Sequence, residues 1–100
     1  MQIRRTKIYD AWFSKLKDLA ARIRIAARIQ RLKAGNPGDS RSVGSGVVEL
    51  KINFGPGYRV YYIQRGNELI LLLCGGDKSN QSKDIERAKL IAEAPDLAED

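Results

Sequence analysis

Four side chains carry the chemistry open to this chain: Lys51, Arg59, Tyr61 and Lys78. Lys51 and Arg59 flank the turn Gly55-Pro56-Gly57, Tyr61 follows two residues on, and Lys78 lies just past Gly75-Gly76. Alternation through Val48, Leu50, Ile52 and Phe54 gives one strand an apolar face, with Glu49, Lys51 and Asn53 on the other. In the next strand Tyr58, Val60 and Tyr62 turn inward, leaving Arg59 and Tyr61 facing out. A hairpin of these strands holds a lysine, an arginine and a tyrosine on one sheet surface, a set suited to gripping a phosphodiester. The planar arginine fork holds two phosphate oxygens and keeps its charge at physiological pH. The plainer alternative for Arg59 is an ion pair with Glu49 or Glu68.

Lys51 has two possible uses. A free lysine titrates at ~10.4 and is a poor base near neutrality. A neighbouring cation such as Arg59 favours the neutral form, which would make Lys51 a proton acceptor. Staying charged, it would stabilise a pentavalent phosphate instead. Tyr61 is placed to stack on a base or position a ribose, whereas Tyr58 and Tyr62 pack against helices. Lys78 leaves the sheet behind two glycines, where the backbone can approach a ligand closely, with Lys83 one turn into the following helix. A lysine beside Asp77 at a helix start needs no ligand, and that reading stays open.

The bulk numbers narrow the classes. One hundred residues with 43% apolar content make one folded domain, expected over residues 1–95, with 96–100 a frayed acidic tail. No apolar run approaches the ~20 residues that span a bilayer, so no membrane partner is expected. Cys74 stands alone, which excludes an internal disulfide and makes the cytoplasm the expected compartment. The chain has no histidine, which removes the serine–histidine and cysteine–histidine triads and the commonest metal ligand. Any proton chemistry must run on lysine, tyrosine or carboxylates. Charge is uneven: residues 1–34 carry +8, residues 35–83 carry +2 and residues 84–100 carry −4. Arg22, Arg24, Arg28, Arg31 and Lys33 form a basic stripe suited to nucleic acid, or equally a solvated helix face.

Elements follow from periodicity. A short first strand is expected around Ile3, Lys7 and Tyr9, then helical sequence from Asp10 to Ala34. Trp12, Leu16, Leu19 and Ile23 make one apolar stripe, and Ile25, Ile29 and Leu32 another. The shift between them predicts two helices packed as a hairpin. Gly35-Asn-Pro-Gly-Asp39 ends the second, and residues 39–46 read as a loop. Strands are predicted near 47–54, 57–65 and 68–75, the last apolar throughout and so buried on both faces. Ser79 is the expected cap of a final helix running to Pro95. The result is an α+β domain with its helices on one face of a mainly antiparallel sheet.

Set in this order, Trp12-Phe13, Leu16-Lys-Asp-Leu19, Ile25-Ala-Ala-Arg-Ile-Gln-Arg-Leu32, Gly35-Asn-Pro-Gly-Asp39, Glu49-Leu-Lys-Ile52, Gly55-Pro-Gly-Tyr-Arg-Val-Tyr-Tyr62 and Gly75-Gly-Asp-Lys-Ser79 resemble the RelE/ParE superfamily of type II toxin–antitoxin toxins. The likeness is strongest to the HigB-like addiction module killer proteins, and runs from about Ile8 to Ala92. It implies a βααβββα fold and either a ribosome-dependent mRNA endonuclease, working without metal or organic cofactor, or a ParE-like inhibitor of DNA gyrase. A non-catalytic nucleic-acid-binding module sharing only the fold is the third reading. Expected partners are the ribosome with its mRNA and a cognate helix-turn-helix antitoxin. Carried over residue by residue, Arg59 matches the essential arginine, Lys51 a catalytic lysine, and Lys78 a basic contact to the scissile phosphate. The helical arginines would meet ribosomal RNA, positioning rather than cutting. Where some relatives place a tyrosine or histidine in the last helix, this chain has Asp84-Ile85.

Overall fold

The computed structural model describes residues 1–94. Its elements are β1 (Gln2–Arg5), α1 (Lys7–Lys15), α2 (Leu19–Lys33), β2 (Ser40–Gly44), β3 (Val47–Ile52), β4 (Tyr58–Arg65), β5 (Leu69–Asp77) and α3 (Gln81–Glu93), with a 3₁₀ turn over Lys78–Asn80. The sheet runs β1-β5-β4-β3-β2, with β1 parallel to β5 and every other pair antiparallel.

Thr6 ties the first helix to this sheet. Its hydroxyl is fully buried, donates to the Leu73 carbonyl at 2.6 Å and accepts from the Tyr9 amide at 3.0 Å. One side chain therefore caps α1 and fixes it on β5. Lys7 and Tyr9 consequently lie in α1 and not in the expected first strand. Two helices form as expected, but the break falls at residues 16–18, ahead of the shift in the apolar stripe, with Asp18 accepting from the Ala21 amide to cap α2. Gly35, at φ +90°, closes α2 in a Schellman turn: its amide bonds Leu32 O and the Asn36 amide bonds Arg31 O.

The layering corrects the one-sided arrangement read from the sequence. Ile25, Ile29 and Leu32 of α2, with Tyr9 of α1, pack on Leu50, Ile52, Val60, Tyr62, Ile70 and Leu72. Ala88 and Ile91 of α3 pack on the opposite face, against Val47, Tyr61, Leu71, Leu73 and Cys74. The cause is β5 itself, which is apolar on both sides and so requires cover on both. An irregularity opposite Tyr61 and Tyr62 skips Leu73, so Leu73 and Cys74 both join the α3 side.

Other departures have local reasons. Residues 40–44, expected as loop, form an edge strand paired with β3, because backbone pairing alone recruits Ser- and Gly-rich sequence with few buried side chains. Leu19 and Ile23, expected in the apolar stripe, are 66% and 61% exposed, since α2 turns Ala21, Ile25 and Ile29 inward. Asp77, not Ser79, caps the turn ahead of α3, its carboxylate accepting from the Ser79 amide at 2.9 Å. Pro95 and the 96–100 tail lie outside the described residues.

Gly75 and Gly76 point to opposite faces, and each leaves room for a neighbour. A Cβ on Gly75 would lie 2.3 Å from the Trp12 ring, and one on Gly76 would lie 1.9 Å from Asp84 Oδ2. Gly75→Ala must displace an indole packed by Tyr9 and Tyr58. We expect it to cost about 1–3 kcal/mol in urea unfolding. A variant as stable as wild type would contradict this packing.

Candidate functional site

The β3–β4 hairpin forms in the predicted register, with Lys51 opposite Arg59 and Glu49 opposite Tyr61. The face these four share is not open: α3 covers it, and Tyr61 and Glu49 have no exposed surface. A buried carboxylate is costly unless its oxygens find donors. Glu49 Oε1 accepts from Arg41 Nε at 2.9 Å, and Oε2 accepts from the Tyr61 hydroxyl at 3.0 Å and from Gln81 Nε2 at 2.8 Å. Burial pushes the Glu49 carboxyl up, but the bonds from Arg41, Gln81 and Tyr61 outweigh it and hold the group below the ordinary value. The same burial, with the Glu49 charge beside it, drives the Tyr61 hydroxyl well above its usual range. The sequence reading placed Tyr61 on an outward face within reach of a base; the structure corrects this to a buried strut on Glu49.

Arg59 sits at the edge of this network, 7% exposed. Its Nε faces Glu49 Oε1 at 4.0 Å and makes no hydrogen bond, while Nη1 donates to the carbonyls of Gly57 at 3.0 Å and Tyr58 at 3.2 Å. Nη2 is the nitrogen left for a ligand. The expected ion pair with Glu49 thus exists, but as a long contact that orients the guanidinium. Arg59 lines a cleft of about 360 Å³ with Asn53, Phe54, Gly55, Pro56, Gly57 and Lys78. Gly57, at φ +82°, brings Arg59 and Lys78 together: a Cβ there would meet Arg59 Nη1 and Lys78 Cβ, each at 3.4 Å.

The other residues singled out in the sequence do not gather at this cleft. Lys51 is half-buried beside Arg59 on β3 but does not line it. Lys83 is exposed and, with Lys78, borders a shallow depression at the start of α3. Arg31 and Lys33 are exposed on α2. Arg22 and Arg24 lie over the rings of Phe13 and Phe54 at 5.3 and 4.4 Å. Arg28 leaves the stripe altogether. Its guanidinium donates to Lys51 O, to Pro37 O at 2.9 Å and to Asp39 O at 3.1 Å, clamping the 37–39 loop to β3. It is a structural side chain, and burial lowers its pKa.

Sequence reasoning missed the second layer. Glu49, Arg41 and Gln81 look like surface polar residues, and only α3 crossing the far face reveals them as partners. Asp84 is 6% exposed, takes the space left by Gly76 opposite Arg59, and has one oxygen bonded by Asn80 at 3.2 Å and one buried with no partner. Burial raises its pKa, with Asn80 and Arg87 pulling the other way. The adjacent glycines were a signal of close approach, though from within the protein. Chemically, the cleft offers two cations for a phosphate. Its lining has no carboxylate, tyrosine or cysteine, so Lys78 is its sole proton carrier.

Three comparisons bear on this arrangement. The family described as phage derived protein Gp49-like matches residues 11–95, which takes in Glu49, Arg59, Lys78 and Asp84. A Haemophilus influenzae protein described as uncharacterized is 54% identical over 93 residues, covering 93% of this chain and 94% of its own length. No solved structure matches.

The Glu49 network sets a pH dependence. A carboxyl lowered in the folded state contributes stability that is present above the unfolded value of 4.5 and lost as pH falls through the folded one. Asp84 is shifted the other way and opposes this in the same acid range. Glu49→Gln should cost about 1–3 kcal/mol at pH 7, and the gap to wild type should narrow below pH 4.5. Urea titrations across that range check both; a constant gap would contradict the charge-based role.

Proposed function

The chain belongs to the phage-derived Gp49-like family, a toxin-like family related to the RelE/ParE type II toxins, and we propose that it is a HigB-like toxin that cuts mRNA on the ribosome. The observation that carries this reading is the cleft at Gly57, lined by a buried, oriented arginine and a lysine where β4 begins and β5 ends. Attack of a ribose 2′-oxygen on the adjacent phosphorus forms one P–O bond and breaks the bond to the 5′-oxygen. Arg59 holds the non-bridging oxygens as charge builds on them. Lys78 gives a proton to the departing 5′-oxygen, and Lys51 on the neighbouring strand is the candidate for taking the 2′ proton. The exposed Arg31, Lys33 and Lys83 suit contacts to ribosomal RNA phosphates. A cognate helix-turn-helix antitoxin would silence the protein by covering this basic cleft. No helix among the described residues is long and apolar enough to cross a membrane.

One observation favours a second reading. Lys78 is the one proton carrier in the lining of the cleft, and holding a phosphate without cutting it asks for no second. A gyrase inhibitor acting by binding alone would need no more. Primer extension on mRNA in a purified translation system separates the two. Wild type should cut only with ribosomes present, and Arg59→Ala should cut at least ~100-fold more slowly. Intact mRNA with a protein that arrests growth would sink the nuclease reading and direct the test to gyrase supercoiling.

A further inference from the structure

Phe54 departs from the alternation that should bury it. Strand β3 ends at Ile52, and Phe54 opens a tight turn instead: its amide bonds Ile52 O at 2.9 Å, and the Gly57 amide bonds Phe54 O at 3.0 Å. The ring is half-buried, packing on the edge of the α2-side core while also lining the cleft of Arg59 and Lys78. The Arg24 guanidinium, from exposed α2 sequence, lies 4.4 Å from the ring centroid. Phe54 is therefore where the basic face of α2 meets the cationic cleft at the hairpin tip.

Phe54 is not used by the phosphate chemistry, yet its ring is a surface on which unpaired nucleobases stack, and the Arg24 guanidinium lies against that ring. A nucleotide with its phosphate on Arg59 and Lys78 has a base to place, and Phe54 is the aromatic side chain lining the cleft, beside Pro56. We infer that Phe54, with Arg24 against its ring, forms a base-stacking wall for the nucleotide whose phosphate the cleft holds. This rests on reading the cleft as a phosphodiester site. It defines the ligand as a single-stranded nucleic acid with at least one unstacked base, not phosphate alone. Stacking reads no hydrogen-bonding edge, so the wall accepts any base and prefers those with larger rings.

The alternative is that Arg24 on Phe54 merely clips α2 to the hairpin. Fluorescence anisotropy separates the two, using a short uncleavable 2′-O-methyl strand and the same strand with abasic sugars. Phe54→Leu keeps the apolar bulk and should lose roughly tenfold in affinity for the base-bearing strand, with none lost for the abasic one. Phe54→Trp should restore it, and the surface change Arg24→Gln should show the same base dependence. Arg59→Ala should weaken both strands alike. Phe54→Leu and Arg24→Gln binding the base-bearing strand as wild type does would overturn the stacking wall. Arg59→Ala binding both strands at full affinity would instead overturn the phosphate reading beneath it.

Discussion

Glu49 is a carboxylate without exposed surface, and the arrangement around the cleft depends on satisfying it. Burying such a group unpaired would cost several kcal/mol, about what holds a small domain together. Its donors come from β2 (Arg41), β4 (Tyr61) and the first turn of α3 (Gln81), so one residue on β3 joins three other elements. Arg59 is held by what remains, a 4.0 Å approach to Oε1 and two carbonyls of its own hairpin. The gain from such a network is less net stability than a fixed register: a slip of β3 against β4 would strand the charge.

The same constraint explains how the two cations of the cleft come together. Gln81 reaches Glu49 only if α3 starts close to β3 and β4, which places the turn over Lys78–Asn80 beside the Gly57 corner. Gly76 allows that approach by yielding its side-chain space to Asp84. Gly75 does the equivalent for Trp12 on the other face. The exit of β5 is thereby compressed from both sides, which sets Lys78 beside the Gly57 corner on the same cleft as Arg59.

Much of this was legible in the sequence, and the exceptions have one cause. The β3–β4 hairpin, its register and the doubly buried β5 could be read because alternation and a Gly-Pro-Gly turn report on local structure. Polar residues in alternate positions, however, look the same whether they face water or one another. Glu49 and Tyr61 therefore read as an open surface, although a helix from the far end of the chain covers them. Arg28 misled for the same reason: its place in a stripe says nothing of the carbonyls it bonds. Leu19 and Ile23 fit a helical period as well as Ile25 and Ile29 do, and only tertiary packing chose between the stripes. Edge strand β2, short and serine-rich, has almost no side-chain signature. Of the residues at the candidate cleft, Arg59 and Lys78 were singled out from local motifs, while Glu49, Gln81 and Asp84 required the fold.

A phosphate site preformed by buried contacts should behave differently from a mobile surface arginine. The Arg59 Nε–H signal in ¹⁵N-resolved NMR reports this directly, followed as an uncleavable 2′-deoxy dinucleotide is added to wild type and to Glu49→Gln. In wild type the proton should exchange slowly before ligand is added and shift on binding, and Glu49→Gln should lose the protection and most of the shift. An Arg59 proton that exchanges as fast as those of exposed arginines, or that ignores the dinucleotide, would contradict a cleft organised by Glu49.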